Sequence, residues 1–146
     1  MSRGYRSGEM NRGRGRLPSP PVDPRAVLRL IAAGRTLLGV VALTRPELPA
    51  RPWVGREDAG STGGRVLARA LGTRDLVLGA GALAALRTEK AGRDWAVAGS
   101  VADALDAIVT LGAFRRLPKG GRLLVLASAG GAAAIGWINS QRLGDG

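Results

Sequence analysis

The chain has no cysteine and no histidine, and its 146 residues include one phenylalanine, one tyrosine and three tryptophans. Without cysteine there is no disulfide framework, no thiolate metal site and no sulfur nucleophile. Without histidine, the commonest general base near neutral pH and the commonest metal ligand are gone as well. No cofactor or metal is therefore expected, and most familiar catalytic constellations are excluded. Asp, Arg, Ser and Thr can still carry acid–base chemistry, but no arrangement of them points to a reaction, so an enzyme is not expected. The scarcity of aromatic residues, 3% of the chain, also argues against a soluble core, which at this length leans on several aromatic anchors.

Alanine, leucine, valine and glycine dominate instead. Basic residues outnumber acidic ones 22 to 11, giving a formal net charge of +11. Such a balance suggests a polyanionic partner, either nucleic acid or an anionic membrane surface. The basic set is arginine except for Lys90 and Lys119. With so much Gly and Ala, that bias reads as high-GC coding rather than selection for a guanidinium at every site.

Residues 1–24 carry Arg3, Arg6, Arg12, Arg14 and Arg16, spaced by Gly, Ser and Asn and followed by Pro18, Pro20, Pro21 and Pro24. Apolar content is too low to offset the entropy of ordering, which predicts a disordered Arg/Gly/Pro-rich tail. The stretch Arg12–Arg16 alternates Arg with Gly, as segments that follow RNA phosphates do. Its aromatic interleaving amounts to Tyr5 alone, so nucleic acid is not the expected partner. A cytoplasmic tail obeying the positive-inside rule, able to meet anionic lipid headgroups, is preferred.

Beyond the tail, residues 25–142 predict a membrane domain of four helices at about 26–44, 65–87, 93–114 and 122–141. Pro46 and Pro49 end the first. A Pro-, Gly- and charge-rich connection at 45–64 follows, with Trp53 as its one bulky apolar residue, either an interfacial anchor or packed on the bundle. The links at 87–93 and 115–122 are short, as between antiparallel neighbours. The expected fold is thus all-α, a four-helix transmembrane bundle behind a disordered basic N-terminal tail. A soluble bundle needs a charged face on every helix, and the last segment is uncharged from Leu123 to Gln141. That segment alone meets the simple length criterion for a span.

The other segments carry charge at a cost. Arg74 with Asp75 costs roughly 5–7 kcal/mol at mid-helix against about 3 recovered from the apolar residues around them. Asp103 with Asp106 leaves its helix in a similar deficit. Such helices are tolerated when their charges turn inward and pair. Periodicity favours this: Gly72, Asp75 and Gly79 share one stripe, and Gly99, Asp103, Asp106 and Thr110 share another. Ser128, Ala132 and Gly136 form a small-residue seam that lets backbones approach. The expected intramembrane polar network is therefore Arg35, Arg69 and Arg74 against Asp75, Asp103 and Asp106, with Arg69 alternatively at the edge, its side chain reaching outward. Asp103 and Asp106 lie one turn apart, and one should keep its proton unless both meet an arginine.

Gly79-Ala80-Gly81 through Ala84, with Asp103 some way on, matches the dinucleotide-binding fingerprint. That reading needs a strand before the glycines and alternating strands after them. Residues 69–75 are not β-branched, and Gly79 and Gly81 are better explained by close helix packing.

The run Ala68-Arg69-Ala70-Leu71-Gly72-Thr73-Arg74-Asp75-Leu76, with Gly34-Arg35 before it and Asp103-Ala104-Leu105-Asp106 after, resembles a group of small four-helix bacterial integral membrane proteins. That group is classed as a domain of unknown function, distantly similar to DoxX-type membrane proteins. The resemblance covers roughly residues 26–140. It implies a four-helix bundle in the bacterial inner membrane and supplies no activity. DoxX-type proteins are linked to quinone or sulfur redox chemistry, for which this chain, without Cys or His, offers no independent support.

Four spans with both termini cytoplasmic would place ten basic residues inside, tail included, against eight outside. Trp95 and Trp137 would then share the inner interface. Two functional classes remain. One is a non-enzymatic scaffold or membrane-complex subunit, homo- or hetero-oligomeric, whose ion network sets its packing. The alternative is a proton- or ligand-handling carrier or redox accessory protein using Asp75, Asp103 and Asp106. A face closed by direct Arg–Asp contacts favours the first, and an enclosed cavity the second.

Overall fold

The computed structural model describes residues 22–143. The expected tail, and any contact it makes with lipid headgroups, lies outside them apart from residues 22–24. Among the described residues there are six helices and no strand: α1 (Pro24–Thr44), α2 (Glu47–Val54), α3 (Arg56–Gly60), α4 (Thr62–Ala85), α5 (Glu89–Gly112) and α6 (Lys119–Arg142).

Local chemistry accounts for the boundaries. Asp23 caps α1, its carboxylate accepting from the Arg25 N–H at 2.9 Å, and Pro24 occupies the first turn, where no N–H is needed. Ser61 caps α4 in the same way through the Gly64 N–H at 2.9 Å. These caps start the helices two or three residues earlier than the apolar pattern suggests. The fourth and fifth helices end two residues short of the expected 87 and 114.

The 45–64 connection corrects the expectation of four helices. Its prolines do not break structure throughout. Pro46 stands at the N-cap of α2 and Pro49 in its first turn, so neither removes a hydrogen bond the helix would make, and only Pro52 lies deeper. Gly55, at φ 93°, takes the left-handed conformation that turns the chain from α2 into α3.

The four long helices run alternately up and down. Leu28 of α1, Leu86 after α4 and Leu143 after α6 cluster at one end, here called the terminal end. Ala50, Ala59 and Ala68 cluster at the other, the cap end, beneath Val54. There α2 lies against the start of α6, with the Trp53 carbonyl 2.6 Å from where a Cβ on Gly121 would stand. Trp53 itself is half-buried on the bundle.

Two helix pairs are tightest, α1 with α4 and α5 with α6. In the first, glycine lets backbone meet backbone. A Cβ on Gly39 would fall 2.5 Å from the Leu76 nitrogen, and one on Gly79 2.6 Å from the Ala32 carbonyl oxygen. The Gly79–Gly81 stretch is therefore mid-helix packing surface, which removes the dinucleotide reading. In the second pair, a Cβ on Gly136 would meet the Ser100 hydroxyl at 2.5 Å. Of the small-residue seam on α6, Gly136 is buried, Ala132 is half-buried and Ser128 is exposed.

The polarity of the bundle is inverted. Its buried polar and charged residues are Asp75, Ser100, Asp103, Thr110, Asn139 and Ser140, whereas Leu30, Leu37, Val66, Ile108, Val109 and Leu123 are each more than 60% exposed. By length and composition, α1, α5 and α6 are long and apolar enough to cross a membrane, with mean hydropathies of 1.8, 1.3 and 1.5. α4 is as long, but every 18-residue stretch of it holds three or more of Arg65, Arg69, Arg74 and Asp75.

Candidate functional site

Half-way along the bundle, three helices contribute charge to one place. Arg35 comes from α1, Arg74 and Asp75 from α4, and Asp103 and Asp106 from α5. Gly39 and Gly72 make this possible, because their backbone-level contacts draw α1 close enough for a guanidinium to reach past α4 to α5.

Arg35 is the hub. Its Nη1 donates to Asp75 Oδ1 at 3.0 Å, and its Nη2 donates to Asp103 Oδ2 and, at 3.5 Å, to the Gly99 carbonyl. Arg74 forms the second half. It grips Asp106 with both Nη atoms, at 2.8 and 2.6 Å, and donates to Asp75 Oδ1 at 3.2 Å. Asp75 Oδ1 thus joins the two guanidiniums into one chain of five side chains. The fork of Arg74 on Asp106 uses the planar, bidentate geometry that lysine lacks.

The two halves differ in depth. The side chains of Arg35, Asp75 and Asp103 are 10–12% exposed, whereas Arg74 keeps 30% and Asp106 21%. The shallower half lies in the seam between α4 and α5. There the Arg74 Nε is buried without a hydrogen-bond partner.

Arg69 stands apart from this cluster. It is exposed, and its Nε donates at 3.3 Å to the Leu43 carbonyl near the cap end. One turn and a half separates it from Asp75, which turns it off the inward face. The six-member network drawn from the sequence is therefore five-member in the structure. Its charges are two positive against three negative.

The buried neutral groups do not join it. Ser100 bonds the Ala96 carbonyl, Thr110 that of Asp106, Asn139 that of Ile135 and Ser140 that of Trp137, each within its own helix. Among the described residues, every side-chain hydrogen bond between two helices is donated by arginine. The structure shows what several of the arginines do. One position escaped the sequence reading, Gly39; Trp95, expected at the inner interface, is half-buried with its ring against Gly81 across the α4–α5 seam. The signal for Gly39 was its spacing of seven residues from Ala32, which α4 reads through Gly79.

A cavity of about 30 Å³ adjoins the network on its terminal side, lined by Arg35, Asp103, Trp95 and small or aliphatic residues of all four long helices. It has room for one or two waters. Among the described residues, no group of three or more His, Cys, Asp or Glu side chains is placed to hold a metal ion. No protein-family model, curated protein or solved structure matches the chain.

Proposed function

We propose that the protein is a multi-pass integral membrane protein, with α1, α4, α5 and α6 as its spans and no reaction of its own. It acts as a scaffold or a subunit of a membrane complex. The observation that carries this reading is the closure of the charged face by direct contacts. Arg35 and Arg74 between them contact all three carboxylates, and the space left beside them is about 30 Å³, room for water. A carrier of a drug-sized ligand needs a cavity of a few hundred Å³ at this point. α4 becomes a span because its charge is met from α1 and α5.

The bundle places both described termini and the 86–88 link at one end. We assign that end to the cytoplasm of a bacterial inner membrane, on the arginines of residues 1–24 and the positive-inside rule. The resemblance to small four-helix bacterial membrane proteins supports that location and adds no activity.

Membrane fractionation with an alkaline carbonate wash tests the reading, on the full-length chain and on a form lacking residues 1–24. Both should remain in the pellet and need detergent for release. Release of either form by the wash would overturn the membrane assignment. In the same membranes, a reporter fused after Gly146 should be active on the cytoplasmic side only.

A further inference from the structure

Asp103 and Asp106 each meet an arginine, which removes the pairwise reason for one of them to keep its proton, but the five-member network still carries one more negative charge than positive. Asp75, Asp103 and Asp106 face only Arg35 and Arg74, and α6 brings no ionisable group to this level, being uncharged from Leu123 to Gln141. Asp106 is satisfied on both oxygens by Arg74. Asp75 lies between the two guanidiniums and accepts from each. Asp103 has the least support. It meets one arginine, through one oxygen, and that arginine is divided among Asp75, Asp103 and the Gly99 carbonyl.

The second oxygen of Asp103 accepts no hydrogen bond among the described residues. Asp103 is 8% exposed, and its partnerless oxygen keeps a little accessible surface, so it is sparsely hydrated rather than sealed. Asp75 also leaves one oxygen free, but it does not line the cavity, and Asp103 is the one carboxylate that does. An excess charge held among apolar helices is costly and is removed most cheaply by a proton.

We propose that the network is a proton-binding site. One exchangeable proton resides on the free oxygen of Asp103, reached through the small cavity on the terminal side of the bundle. The proton brings the network to neutrality, two guanidiniums against two carboxylates and one carboxylic acid. The inference rests on the membrane reading above but not on the absence of transport, since a bound proton need not cross the bilayer.

The test is infrared difference spectroscopy of the full-length protein, labelled with carbon-13 aspartate and reconstituted into phosphatidylcholine vesicles. Flotation of the vesicles is checked first. At neutral pH the wild type should show a protonated aspartyl carboxyl band that shifts in heavy water and fades only on alkalinisation. Asp103→Asn, which copies the neutral acid in shape, should float with the vesicles and lack the band. Floating wild-type protein with no such band would overturn the proton alone and leave the membrane reading intact. A band that survives in Asp103→Asn would also overturn the assignment, by placing the proton on another carboxyl. Protein that does not float overturns both. The wild-type titration stands without the variant: if Asp103→Asn does not fold, the wild-type band still supports the bound proton, and its absence still overturns it.

Discussion

Gly34 and Gly39 sit five residues apart in α1 and do opposite jobs. A Cβ on Gly34 would have nothing within 4 Å, whereas one on Gly39 would strike the backbone of α4. Backbone cannot rotate aside as a side chain can, so Gly39→Ala must push α1 from α4 and stretch the reach of Arg35 to Asp103. Overpacking of this kind costs about 1–3 kcal/mol. Gly34→Ala should instead be neutral or stabilise by up to about 1 kcal/mol, because it removes only the flexibility of glycine inside a helix. Thermal unfolding of the two variants in detergent separates them. Equal stabilities would show that the α1–α4 contact does not set the position of Arg35.

The elements were legible in the sequence to different degrees, for physical reasons. The four long helices could be read because small and polar residues fall on one stripe and Leu, Val and Ile on the others. Gly72, Asp75 and Gly79 are indeed buried together on α4, as are Asp103 and Thr110 on α5. Which arginine meets which aspartate could not be read, since that depends on how near two backbones come. α2 and α3 were hidden because three prolines resemble a break until their positions relative to the first turn are known. α2 also carries a pH-dependent contact of its own. Hydrogen bonding from Arg51 holds the Glu47 carboxyl below its ordinary range; partial burial opposes this and the charge of Arg65 assists it. Folded Glu47 thus gives up its proton more readily than the unfolded chain does. Its contribution is present above the ordinary carboxyl range and is lost as pH falls through the lowered value. Glu47→Gln should accordingly be less stable than wild type near neutral pH, the two curves converging in acid. A difference that stays constant across that range would show that the ionised Glu47 carboxylate does not stabilise the cap end.

Across the described long helices, most large apolar side chains face outward while five charged ones meet inside, the reverse of a protein folded in water. Water rewards the burial of leucine, whereas hydrocarbon is indifferent to it. In such surroundings helices are held by close contact and by the pairing of groups that lipid cannot solvate. The two tight pairs supply the contact, and the arginine forks supply the pairing between them. With the four long helices as spans, as proposed above, the same forks impose an order on biogenesis. α1 emerges from the ribosome first, and Arg35 has no carboxylate until α4 is made. Arg74 then waits for α5 to bring Asp106. A chain ending after Thr88 would therefore leave Arg74 with its sequence neighbour Asp75 alone, whereas one ending after Gly112 contains every member of the network. Pulse–chase labelling should find the shorter chain cleared several-fold faster. Equal lifetimes would mean that quality control does not sense the unpaired guanidinium. On this view the first helix is held beside the insertion machinery until its counter-charges arrive, and the nascent chain is committed to the bilayer as a set of helices rather than one at a time.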